Sequence, residues 1–291
     1  MSHWQTTAER PNQPLGMRLE ERDKELLESI YAFDGMLSGP QIERLFFKSW
    51  RVTRERLSKL WQNGYINKPS RRQRAALPAM IYWLDDAGAE IVAGRLGISL
   101  REFKWIKRPR WGQVEHDLAV NDFRIDVIQA AEQSSFLDLG VWFSEGVFRS
   151  WRDSVQYSGR DGFNKQIVTP DGYCELLMGS KKFRLLIEID MATKDNPRFV
   201  DEKARPFLAY IKSDTYMKRF GHNAGRVLVI TTGQQRLKHM KEQVELSLGS
   251  AAGVFLFTTF KQVTSATVLT GLIWYRGNES EPSALLTPPK R

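Results

Sequence analysis

The chain has 291 residues, 42% of them hydrophobic and 26% charged, with a formal charge of +9. That balance is the one expected of a globular protein, and the length favours two domains over one. No apolar run is long enough for a membrane span, the opening MSHWQTTAERPNQPLG has no signal-peptide core, and the single cysteine, Cys174, excludes an internal disulfide and thiolate-rich zinc sites, so a cytoplasmic location is expected.

Residues 1–18 read as a flexible leader. A domain over 19–110 follows. Its first helix, EERDKELLESIYAFDG, places Leu26, Leu27, Ile30 and Phe33 on one face and stops at Asp34-Gly35. The second, SGPQIERLFF, starts at Ser38 with Pro40 in its first turn. The third, SWRVTRERLSKLWQNGYI, runs from Ser49 to a stop at Gly64. On its wheel Thr53, Leu57, Leu60 and Trp61 pack, while Arg51, Glu55, Ser58, Lys59 and Gln62 face away and Arg54 and Arg56 flank the seam. Strand-like ends near Ile66 and at Ile81–Leu84 then enclose a loop with Lys68, Arg71, Arg72 and Arg74. A basic third helix followed by a basic hairpin predicts a winged helix-turn-helix, its third helix in the major groove and its wing on phosphates. DDAGAEIVAGRLG closes the domain as a helix.

Charge supports this reading. Residues 1–110 hold 20 Lys/Arg against 13 Asp/Glu, and the rest 23 against 21. From Lys48 to Arg74 there are nine basic residues and one acid, Glu55. Such asymmetry points to a polyanion, with double-stranded DNA as the expected partner. The expected contacts are Arg51, Arg54, Arg56, Ser58, Lys59, Gln62, Lys68, Arg71, Arg72 and Arg74. A protein-docking role for the same domain is the alternative.

The basic stretch SLREFKWIKRPRWG places a boundary near Arg110, and the second domain is expected over 111–275. QVEHDLAVNDFRIDVIQAAEQ is a long helix, and LGVWFSEGVF a strand carrying Glu145. IVTPDGYCELLMG and KKFRLLIEIDMA are strands joined at Gly179-Ser180. FVDEKARPFLAYIKSDTYMKRF is helical with a bend at Pro206. GRVLVITTG and GVFLFTTF are apolar strands of the buried type, separated by the helix QQRLKHMKEQVELSLG. The order predicts an α/β domain around a mixed central sheet. Residues 276–291, rich in Ser, Glu and Pro, read as a disordered tail.

Asp171 opens one strand of the 170s–180s hairpin, and Glu188 and Asp190 close the other. Side chains at i and i+2 share a sheet face. An antiparallel hairpin therefore brings all three acids together, as hard-oxygen ligands for Mg²⁺ or Mn²⁺ in phosphodiester cleavage. The plain alternative is a turn acid before Gly172 and charge at a strand exit.

Pro170-Asp171 and Glu188-Ile189-Asp190 resemble the motif of the PD-(D/E)xK nucleases, with Asp190 standing where that family has its lysine. The resemblance implies metal ligation by Asp171, Glu188 and Asp190, with a third-ligand position on the first helix for which His116, Glu115 and Asp122 compete. It also implies a relocated catalytic cation, Lys203 first and Lys194 second. Across most of residues 20–260, the segments IYWLDDAGAEIV, EHDLAVNDFRI, WFSE, PDGY, FRLLIEIDMAT, the helix around Lys203–Tyr210 and GRVLVITT resemble the replication-relaxation family of bacterial and plasmid proteins. That implies a winged helix joined to a nuclease-type domain and a role in mobile-element DNA processing, alone, as a homodimer or with other DNA-processing proteins. Two functions follow as expectations: a Mg²⁺-dependent endonuclease or nickase, or a regulator without catalysis or cofactor whose second domain serves dimerisation or docking.

Overall fold

The computed structural model describes residues 10, 16–159, 162–192 and 196–287, and the chain divides into two compact units, 1–122 and 123–291. In the first, α1 (Glu21–Ala32) is followed by β1 (Leu37–Ser38), α2 (Gly39–Phe46) and α3 (Trp50–Gln62). Then come β2 (Ile66–Asn67), α4 (Arg71–Arg74), β3 (Ile81–Leu84) and α5 (Asp86–Leu96). The strands form a small antiparallel sheet in the order β1-β3-β2.

Local chemistry fixes these elements. α1 ends where Asp34 and Gly35 turn to positive φ, and Ser38 and Gln41 form a reciprocal capping box on α2. Gly97 closes α5 in the left-handed conformation. On α3, Thr53, Leu57, Leu60 and Trp61 are buried, as their spacing requires. Between β2 and β3 the sequence suggests an open loop. The structure instead has the helical turn α4, because Ser70 caps it and Gln73 returns the bond.

The expected boundary at Arg110 falls before α6 (Val114–Glu132), whereas the two units meet within that helix, at Asp122 and Phe123. Val114 and Leu118 are apolar and pack with Met36, Ile81 and Trp83, so the first turns of α6 belong to the first unit. Of the proposed leader, most lies outside the described residues. Arg10 is anchored: it pairs with Asp85 and donates to Ile66 O at 2.8 Å.

The second unit continues with β4 (Asp138–Ser144), α7 (Glu145–Trp151), β5 (Ser154–Gly159) and β6 (Gly162–Ile167). The hairpin partners β7 (Gly172–Met178) and β8 (Lys181–Asp190) follow, then α8 (Asn196–Phe199), a π-helical stretch Val200–Ala204 and α9 (Arg205–Ile211). The chain ends with α10 (Asp214–Phe220), β9 (Arg226–Thr231), α11 (Gln234–Leu248), β10 (Phe255–Thr259), β11 (Trp274–Arg276) and β12 (Pro282–Ser283). Seven strands make one mixed sheet in the order β12-β11-β10-β9-β8-β7-β4, and β5 with β6 forms a separate hairpin. β8, β9 and β10 run parallel, and the other neighbours are antiparallel.

One face of this sheet, with Tyr173, Leu186, Val227, Val229, Phe255 and Phe257, is covered by α7, α8–α10 and α11 through Phe148, Phe207, Tyr210, Tyr216, Leu237 and Met240. The opposite face meets α6, where Phe123 packs edge-on to Trp274 and Arg124 lies over Trp142. Buried on both faces, β9 is apolar from Val227 to Ile230 and β10 from Phe255 to Phe257. Residues 276–287 are not a disordered tail: β11 and β12 pair at the sheet edge, and Leu285 and Leu286 are buried. Composition concealed a two-residue apolar anchor.

Candidate functional site

The strands β7 and β8 meet at Gly172 and Ile187, and the next step of the ladder sets Asp171 beside Glu188, with the Asp171 N–H donating to Ile187 O at 3.0 Å. Gly172 lies within the strand, and a Cβ there would come within 3.0 Å of Trp142. The Asp-Gly pair is therefore no turn. Asp171 is 5% exposed, and its Oδ2 accepts the Ile189 N–H at 2.7 Å. That charge-assisted bond fixes the carboxylate on the face shared with Tyr173 and Leu186.

Glu188 occupies the same face and is 6% exposed. Lys203, from the π-helical stretch, places Nζ 2.8 Å from Glu188 Oε2 and reaches Thr169 O at 3.4 Å. Burial disfavours the ammonium, but Glu188, Asp171 and Glu145 outweigh it and hold Lys203 above the usual lysine range. Glu145 opens α7 just past β4, next to the Ser144–Gly172 pair, and is bonded to Arg149 at 2.5 Å. So Asp171, Glu188 and Lys203 come together, with Glu145 in electrostatic reach.

Asp190 does not join them as a metal ligand would. It is on the same face as Glu188, but its carboxylate takes both arms of Arg236, at 2.7 and 2.9 Å, and the Thr231 hydroxyl at 2.6 Å. A bidentate guanidinium pair uses up the acceptor directions a cation would need. Arg236 stands on α11, 46 positions along the chain, and nothing in the local sequence announced it.

His116 belongs to the first unit, with Nδ1 3.4 Å from Asp117 Oδ1. Asp122, in the same unit, faces Arg44 at 3.6 Å. Lys194 lies outside the described residues. Among the described residues no three His, Cys, Asp or Glu side chains are gathered around a common metal position. Cys174 is fully buried, and burial raises its thiol pKa, as for an inert apolar cysteine.

In the first unit, Arg51, Arg54, Lys59, Arg71, Arg72 and Arg74 are exposed, and Ser58, Gln62 and Lys68 are half-buried. Arg51 pairs with Glu55 one turn on, at 3.2 Å. Lys68 holds its ammonium 3.4 Å from the centre of the Trp61 ring. Burial, with help from Arg10 and Arg74, lowers its pKa. Arg56 departs from the expected contact set. Its Nε donates to Asp23 Oδ1 at 2.6 Å, and Asp23 is fully buried. The Asp23 pair holds the guanidinium above its usual pKa against the cost of burial, so Arg56 ties α3 to α1 rather than facing outward.

No helix among the described residues is long and apolar enough to cross a membrane. No curated protein matches the sequence. Among solved structures, restriction endonuclease FokI bound to DNA is similar at 11% identity over 85% of this chain and 45% of that one, with a TM-score of 0.25. The structure of FokI by itself gives 11% identity, 84% and 43% coverage and a TM-score of 0.23. The chain spans less than half the length of that enzyme, and likenesses this weak leave function to the chain's own residues. The family model described as replication-relaxation matches residues 27–225, which takes in the basic unit, the β7–β8 hairpin and Lys203. The chain belongs to the replication-relaxation family.

Proposed function

We propose that this protein binds double-stranded DNA through its first unit and cleaves a phosphodiester bond at Asp171, Glu188 and Lys203, in the replication or relaxation of a mobile element. The observation that carries the reading is the 2.8 Å contact between Lys203 Nζ and Glu188 Oε2 beside Asp171. It gives the hairpin's acids the cation that Asp190 does not supply. Support for a winged helix-turn-helix comes from three helices followed by paired β2 and β3, with the exposed cations on α3 and α4.

Mg²⁺ accepts one or two carboxylates and completes its shell with waters and substrate phosphate. Asp171 and Glu188 fit that donor set; Asp190 and His116 are not needed for it. A divalent cation there would supply Lewis acidity toward the phosphate. The chain's own groups do the rest. The Ile189 N–H orients Asp171. Lys203, kept protonated by its acidic neighbours, offers a fixed positive charge to the phosphate as negative charge grows in the transition state.

A nicking assay on supercoiled plasmid with Mg²⁺ or Mn²⁺ tests this, comparing wild type with Asp171→Asn and Lys203→Ala and following DNA binding in parallel. Nicking by wild type, lost in both variants while binding persists, is the expected result. Equal binding with no nicking by any protein would favour the second reading, a non-catalytic regulator. That reading draws on one observation: Asp190 is locked by Arg236, so the acidic group is smaller than the hairpin motif suggests.

A further inference from the structure

We infer that a cavity of about 500 Å³, lined by Phe143, Trp151, Thr215, Lys218 and Arg219, holds one unpaired nucleotide of the DNA strand presented to Asp171; this rests on the phosphodiesterase reading above. Position comes first. Phe143 pairs with Tyr173 across β4 and β7, so by alternation it lies on the sheet face that carries Asp171. Trp151 ends the helix that Glu145 begins. The cavity thus lies on the sheet face that carries Asp171, one short helix, about 9 Å, from Glu145.

Its chemistry suits a base with a phosphate attached. Phe143 lies nearly parallel to Tyr173, with ring centres 5.8 Å apart, and Trp151 meets Phe143 edge-on at 5.3 Å. The Arg219 guanidinium lies 4.0 Å from the Trp151 ring centre. It is pinned there by Asp153, whose Oδ1 accepts from Arg219 Nη2 at 2.6 Å and whose Oδ2 accepts from Tyr210 at 2.7 Å. These planar surfaces are fixed before any ligand arrives, which lowers the ordering cost of binding. Thr215 adds a hydroxyl for a base edge. Lys218 is exposed at the rim and meets the phosphate. The volume lies within the range of small-ligand sites, roughly 300–1,000 Å³. Base stacking on aromatic side chains tolerates any sequence, and a base inside a duplex cannot offer its faces without leaving the stack. The occupant is therefore an unpaired nucleotide.

Fluorescence anisotropy with a labelled oligothymidylate and, separately, a blunt duplex tests this on the full chain. Thr215→Trp fills the cavity, and Lys218→Glu reverses the charge at its rim. Both variants are expected to weaken oligothymidylate binding about tenfold and leave duplex binding unchanged. Wild-type affinity for the oligonucleotide in both, with duplex binding intact, would overturn the inference and leave the DNA-binding reading standing. Failure of the wild type to bind either DNA would sink both. Free thymidine monophosphate competing as well as the oligonucleotide would overturn a strand nucleotide as the occupant.

Discussion

Lys203 Nζ stands 2.8 Å from Glu188 Oε2, both side chains largely buried, on the sheet face that also carries Asp171. Removing the lysine leaves a buried carboxylate with its main cation gone. Lys203→Ala should therefore lower stability by about 3–5 kcal/mol as well as abolish nicking. Urea unfolding measures the first, and plasmid nicking at a temperature where the variant is folded measures the second. Full stability in Lys203→Ala would remove the ion pair from the site.

The same pair sets a pH dependence. The folded-state pKa of Lys203 is raised, so its stabilising contribution is fully present below the unfolded lysine value, about 10.4. It is lost only as pH rises further, through the folded value. The stability difference between wild type and Lys203→Met should be constant from neutral pH to about 10 and shrink above it. A difference that vanishes near neutrality would contradict this.

Asp190 and Asp171 should behave differently despite their similar sequence settings. Asp190→Asn leaves the half-buried Arg236 beside an amide and should cost stability, while nicking persists in the folded fraction. Asp171→Asn should remove nicking. Thermal melts and initial nicking rates separate the two; loss of nicking in folded Asp190→Asn would return Asp190 to the catalytic set.

The basic face divides in the same way. Arg56→Ala strands the buried Asp23 and should destabilise by about 3–5 kcal/mol. Arg54→Ala and Lys59→Ala touch exposed positions and should change stability by less than about 0.5 kcal/mol. Each should reduce the log–log salt slope of duplex binding by about 0.9. Unchanged slopes would move the DNA contact away from α3.

The C-terminal edge offers a further check. Leu286 is 2% exposed, and Leu286→Ala should cost about 2–5 kcal/mol. An unaltered melting temperature would show that the Leu286 anchor is dispensable.

The β7–β8 hairpin was legible because its signals are local: Gly179-Ser180 at the turn, apolar runs on either side, acids at the open end. The packed face of α3 was legible from 3.6-residue spacing. Fates of individual charges were not. Arg54 and Arg56 are two positions apart on one basic helix, and only the fold decides that one finds Asp23. The β5–β6 hairpin escaped notice because β6 exposes Phe163 and Ile167, so the alternation that buries Val155 and half-buries Tyr157 marks β5 alone. Arg236 meets Asp190 only because α11 follows β9, the strand beside β8, a long-range consequence that no spacing rule encodes.

Lys203 sits in a π-helical stretch between two α-helical ones. A π turn accommodates one residue more than an α turn. Deleting one residue there would restore α bonding and rotate one flank against the other by about 100°. The lysine's meeting with Glu188 is thus a matter of phase as much as of residue type. A relative with the same lysine but an unbroken α frame would carry the letter without the contact, while one with a cation a position away could recover it by shifting the frame.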